Sequence, residues 1–133
     1  MPIPHPHTIL LVDDDRQHLQ MQSWIMNQAG MRVVTVVVGR DSFGLPENEH
    51  PGLIFMDYRL NSNLTSSQVV ALLRQTFERV PIVLLSSELS MPPEMTTLVD
   101  AFIRKSDPEH LVQFARSFFE RGVIQTERPS SSV

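Results

Sequence analysis

The stretch that most constrains this chain is Gly52-Leu53-Ile54-Phe55-Met56-Asp57, a short apolar run that ends on a single carboxylate. Pro51 precedes it, and the polar segment Tyr58-Arg59-Leu60-Asn61-Ser62-Asn63 follows. An unbroken apolar run of this length reads as a strand buried on both faces, the signature of a parallel sheet. Asp57 then sits where that strand leaves the core. A carboxylate in such a place is costly without a partner. Taken alone, it reads equally well as a cap on the next turn or as a reactive group.

The rest of the chain repeats the pattern. Thr8-Ile9-Leu10-Leu11-Val12 reads as a buried strand ending on Asp13-Asp14-Asp15, and a helix from Asp15 to Ala29 follows, stopped by Gly30. Leu19, Ile25 and Met26 fall roughly on one face of that helix. Met31 to Val38 is a valine-rich second strand. Residues 39–51 are expected to hold a helix that Gly44 and Pro46 leave short or irregular. After Asp57 comes a polar loop to Ser67, then a helix to about Arg79 that buries Val69, Val70, Leu73 and Phe77. Pro81 to Leu85 is a fourth strand ending on Ser86-Ser87-Glu88. Pro92-Pro93 allows only a brief fourth helix. Ala101-Phe102-Ile103-Arg104 is a fifth strand ending on Lys105, and Asp107 and Pro108 suit the cap and first position of a last helix reaching about Arg121. Its buried face should carry Leu111, Ala115 and Phe118.

Five strands alternating with five helical segments define a three-layer, doubly wound α/β sheet. The 133 residues suffice for one domain, expected at 8–122, between a flexible start (1–7) and a disordered tail or linker (123–133). His5 and His7 read as part of that flexible start rather than as a metal grip. A net charge of -4 and the lack of a basic stripe exclude a nucleic-acid surface. There is no membrane-spanning run and no signal-peptide stretch, so a cytoplasmic protein is expected. With no cysteine, disulfides, thiolate metal sites and cysteine nucleophiles are excluded.

In such sheets ligands bind beyond the carboxyl ends of the strands, where the strand order reverses. Asp13 and Asp14 follow the first strand, Asp57 the third, Ser86 the fourth and Lys105 the fifth. Like charges at contact cost about 4 kcal/mol per pair at an effective dielectric near 20, so three carboxylates call for a cation. Mg²⁺, with Mn²⁺ as a substitute, suits oxygen ligands and keeps waters that a phosphoryl oxygen can replace. A carboxylate flanked by metal, amine and hydroxyl is equipped to form an aspartyl phosphate.

Ile9 to Asp15, Leu53 to Asp57, Pro81 to Ser86 and Phe102 to Lys105 together resemble the receiver domain of two-component response regulators. The likeness spans about residues 8–122 and implies a flavodoxin-like sheet of order 2-1-3-4-5. It implies that Asp57 takes a phosphoryl group from a histidine kinase or a histidine phosphotransfer protein. Asp13, Asp14, Asp57 and the Arg59 carbonyl would hold Mg²⁺, Ser86 would sense the phosphoryl group and Lys105 would pair with it. Phe102 stands at the family's switch aromatic, although plain edge packing explains it as well. Arg59, Ser87 and Glu88 lie where the family modulates dephosphorylation; as isolated residues they are surface positions. Such a protein is a signalling element, catalysing only its own phosphorylation and slow dephosphorylation, and passes its state to a downstream protein or fused effector.

Three features depart from the family pattern. Ser106 replaces the proline after the lysine, so the phosphoryl group should be held less firmly. The segment Asn61 to Thr65 replaces a glycine-containing loop and should be looser. The short stretch from Ser86 to Lys105 trims the fourth helix, part of the family's usual output face, so dimerisation through it is not expected. Two rivals remain. One is a receiver-like interaction module that no longer turns over phosphate. The other is a haloacid-dehalogenase-like phosphatase with Asp13 as nucleophile and Asp15 as acid/base, in which Gln17 breaks the motif.

Overall fold

All five residues of the central strand, Leu53–Asp57, are buried, because strands pair with it on both edges and layers cover both faces. The computed structural model describes residues 8–88, 90–105 and 107–122; the expectations for the N-terminal segment, the C-terminal tail and Ser106 fall outside them. In chain order the elements are β1 (Thr8–Asp13), α1 (Arg16–Gln28), β2 (Arg32–Val37), β3 (Leu53–Asp57), α2 (Ser66–Thr76), β4 (Ile82–Ser86), a 3-10 turn (Pro93–Met95), β5 (Ala101–Arg104) and α3 (Pro108–Arg121). The strands form one parallel sheet of order β2-β1-β3-β4-β5. The fold class is as expected, a flavodoxin-like sheet. The crevice at the order reversal opens between the carboxyl ends of β1 and β3.

Strand alternation divides the core in two. Ile9, Leu11, Leu53, Phe55, Val83 and Leu85 meet Leu19 and Met26 of α1 and Leu111, Val112 and Ala115 of α3. Phe55 also meets Phe114 edge-on, with ring centroids 6.0 Å apart. On the opposite face, Leu10, Val12, Ile54, Met56, Ile82 and Leu84 meet Val69, Val70, Leu73 and Phe77. The rest of that second cover comes from loop residues, Phe43, Leu45, Leu60, Leu64, Met91 and Leu98 among them.

That second face is where the helix count is corrected. Among the described residues, three α-helices and one 3-10 turn stand where five helical segments were expected. Residues 39–51 form no helix. Gly44 and Pro46 interrupt them, and Asn48 adopts a left-handed φ of 62°, which an Asn tolerates better than most residues and a helix does not. The loop is anchored instead by Arg32, whose guanidinium grips Glu49 at 2.6 and 2.8 Å. The Pro92-Pro93 pair reduces the fourth helix to Pro93–Met95.

Helix ends follow their local chemistry. Asp15 caps α1 by accepting from the backbone N–H groups of Gln17 (3.0 Å) and His18 (3.2 Å). Thr65 and Gln68 close a reciprocal capping box on α2. Pro108 opens α3 and Gly122 ends it at φ 73°, but Asp107 caps it without a side-chain hydrogen bond. The Asn61 to Thr65 loop, expected to be loose, is tied to the 39–41 segment. Ser62 Oγ donates to the Gly39 carbonyl (2.7 Å), Asn63 N to the Arg40 carbonyl (2.7 Å) and Asn63 Nδ2 to Asp41 (2.6 Å).

Candidate functional site

Asp13 and Asp57 end the neighbouring strands β1 and β3, on the face shared with α1 and α3, since each continues the alternation of Leu11 or Phe55. Both are buried, at 3% and 6% exposure. Lys105 follows β5 and reaches across the sheet edge to place Nζ 2.8 Å from Asp57 Oδ2. Its backbone N–H donates to the Ser86 carbonyl at 2.7 Å, which fixes where the lysine leaves the sheet. Asp57 Oδ1 accepts a long hydrogen bond from the Arg59 backbone N–H, 3.3 Å. The amine and the nucleophile candidate are therefore in contact.

The acid pair is split by environment. Burial pushes the Asp13 carboxyl up to about 6; the His18 bond opposes this, while the neighbouring Asp14 and the charge of Asp57 add to it. Asp13 Oδ1 accepts from the Asp14 backbone N–H at 2.7 Å. For Asp14, burial also acts upward, but Asp13, the Asn61 N–H, its own N–H and Lys105 outweigh it and hold the carboxyl below its ordinary value. Its Oδ2 accepts from Asn61 N at 2.8 Å, so Asp14 is turned toward the loop after β3.

Ser86 ends β4 almost fully buried, and its Oγ accepts from the Glu88 backbone N–H at 3.0 Å. Glu88 in turn takes a hydrogen bond from the Arg59 guanidinium, a pair that sits at the rim of the crevice. Tyr58 bonds Glu94 across the same side. Ser87 is exposed. Phe102 is half-buried against the loop-covered face of the sheet. The structure thus gathers Asp13, Asp57 and Lys105, places Asp14 at the rim and Ser86 buried at the neighbouring strand end, and leaves Phe102 and Ser87 away from that centre.

Sequence reasoning missed His18. Its Nδ1 lies 2.6 Å from Asp13 Oδ2, and ligand atoms of Asp13, His18 and Asp57 all fall within 4.8 Å of one another. The available signal was the cap: with Asp15 at the start of α1, His18 must stand in its first turn, where side chains lean back toward the strand that precedes the helix.

Residues 9–116 match the family model described as the response regulator receiver domain. No curated protein matches the chain significantly by sequence. Among solved structures, the signal receiver domain of a histidine kinase from Syntrophus aciditrophicus is 21% identical (TM-score 0.66; 96% of this chain, 99% of that one). The Vibrio cholerae chemotaxis protein CheY4 is 21% identical (TM-score 0.64; 83% and 96%). The Thermotoga maritima response regulator DrrB, an OmpR/PhoB homolog, is 23% identical (TM-score 0.63; 86% and 53%). At these identities the structures speak for the fold, and the family match carries membership. The chain belongs to the response regulator receiver domains. Among the described residues no helix is long and apolar enough to cross a membrane.

Proposed function

We propose that this receiver domain accepts a phosphoryl group on Asp57, from the phosphohistidine of a histidine kinase or histidine phosphotransfer protein, in a Mg²⁺-dependent reaction. One observation carries the reading: a buried strand-end carboxylate held 2.8 Å from a lysine amine beside a second buried carboxyl pushed up to about 6. Burial is the main cause of that upward push, with Asp14 and the charge of Asp57 adding to it, and the donors are the oxygen type that Mg²⁺ takes. Asp13, Asp14, Asp57 and the Arg59 carbonyl are the groups that would hold the ion. When bound, it supplies positive charge to the phosphoryl oxygens.

In this reaction an Asp57 carboxylate oxygen attacks phosphorus, the O–P bond forms as the P–N bond breaks, and the donor imidazole leaves. The Lys105 ammonium balances the charge gathering on the phosphoryl oxygens. Ser86 gives up its role as acceptor for the Glu88 N–H and turns its hydroxyl to donate to a phosphoryl oxygen. Phe102 shares the Ser86 side of the sheet, which is why it suits a switch that follows that movement. Arg59 and Glu88, paired at the rim, would modulate the water that later hydrolyses the aspartyl phosphate, with Ser87 beside them. The domain acts only on itself, in the cytoplasm, and signals through contact with a separate protein or a fused effector. With Ser106 in place of a proline, the phosphoryl group is held less firmly.

The test is mass mapping after treatment with acetyl phosphate and Mg²⁺. Label on Asp57, lost in Asp57→Asn, supports the reading. Label on Asp13 points to a phosphatase, and failure to take either acetyl phosphate or beryllofluoride points to an inert interaction module.

A further inference from the structure

The phosphoacceptor reading needs only oxygen donors, yet a nitrogen faces the same space. His18 is placed by its surroundings rather than left to solvent. The Asp15 cap holds its backbone N–H at 3.2 Å, and His18 lines a small cleft together with Met21, Gln22, Leu85 and Lys105. The imidazole is roughly three-quarters buried, at 28% exposure, and the Asp13 carboxylate it meets is 4% exposed. Nδ1 approaches Asp13 Oδ2 to 2.6 Å.

These separations lie within a few tenths of an ångström of a coordination shell's. Ligands about 2.1 Å from an octahedral ion lie about 3.0 Å apart when adjacent and about 4.2 Å apart when opposite. The Nδ1–Oδ2 separation is a few tenths of an ångström short of the adjacent spacing. The full Asp13, His18 and Asp57 set fits within 4.8 Å, close to the opposite spacing. An ion between them would take over the hydrogen bond that His18 now makes, with only small side-chain shifts.

We infer that His18 Nδ1 is a direct ligand in the Asp13/Asp57 cation site, and that this nitrogen raises the site's affinity for imidazole-tolerant first-row ions such as Co²⁺, Ni²⁺ or Zn²⁺ with little gain for Mg²⁺. The inference rests on the proposed function insofar as it takes the phosphoacceptor crevice to be a cation site. Imidazole suits the later first-row divalent ions, whereas Mg²⁺ holds to oxygen and surrenders its waters reluctantly. A mixed nitrogen and oxygen set therefore raises affinity for the former with little gain for Mg²⁺.

The test compares Co²⁺ and Mg²⁺ binding by calorimetry in tag-free protein, in His18→Ala and in His18→Gln, with melting temperature as the check on folding. The second variant keeps a side chain able to bond Asp13 if the first fails to fold. The Co²⁺:Mg²⁺ affinity ratio should fall about tenfold or more on losing the imidazole, with Mg²⁺ affinity held within about twofold. In the Co²⁺ protein, a hyperfine-shifted imidazole N–H proton signal should be present, lost in both variants and kept in a His5→Ala/His7→Ala protein. An unchanged ratio with intact Mg²⁺ binding overturns the inference alone. If neither ion binds the unaltered protein, the inference and the phosphoacceptor reading both fall.

Discussion

The two faces of the sheet are built differently. One is covered by α1 and α3, with Phe55 and Phe114 interlocked beneath them. The other has α2 as its single α-helix among the described residues, and loop residues such as Phe43, Leu45 and Leu98 fill the remainder. Alternation along the strands sends Asp13, Asp57 and Lys105 to the helix-covered side and Ser86 and Phe102 to the loop-covered side. The reactive groups stand on the better-anchored half. The groups suited to report a change stand where the cover is loops, which repack at lower cost.

The largest test of this contrast is a pair of truncations. Phe55→Ala should cost about 3–5 kcal/mol in chemical denaturation, because two packed helices close poorly around the void. Phe43→Ala should cost about 1 kcal/mol, since a half-buried loop residue leaves space that its loop can fill. Equal costs would erase the distinction between the faces.

The next effect is set by pH. In metal-free protein the Asp13 carboxyl sits at about 6, above its ordinary value of 3.8, so the folded state binds the extra proton. The stability this contributes is fully present below about pH 4 and is lost as pH rises through about 6, an effect on the order of 3 kcal/mol. Asp13→Asn should remove that slope and leave the protein more stable at pH 7. Mg²⁺ should flatten the same slope in the unaltered chain. A slope unaffected by Asp13→Asn would place its cause elsewhere.

Thr65→Ala should cost about 1 kcal/mol by removing the cap of the one α-helix on the loop-covered face. Amide exchange should quicken in α2 and leave α1 and α3 unaffected. If all three helices loosen together, the two faces act as one unit.

The strand pattern, the strand-end residues and the buried faces of all three α-helices were legible in the sequence, because apolar periodicity and chain punctuation act locally. Gly44 and Pro46 correctly signalled trouble between β2 and β3, but periodicity alone did not show that the helix would vanish. That outcome depends on Phe43, Leu45 and Leu64 covering the sheet without one, which only the assembled fold reveals. Thr65-x-x-Gln68 is a readable capping box in the sequence. His18 carried no motif; its meaning arises from β1 and the start of α1 meeting in space. The turn of Asp14 toward Asn61 is likewise a contact between distant parts of the chain, set by the loop after β3.

The central claim is that chemistry on one face is reported on the other. Amide chemical shifts recorded while Mg²⁺ and beryllofluoride are added test it directly. The account predicts large changes at Asp57, Ser86, Glu88 and Phe102, with the amides around Phe55, Leu111 and Ala115 nearly still. No response, or one concentrated in α1 and α3 while Ser86 and Phe102 stay fixed, would contradict it.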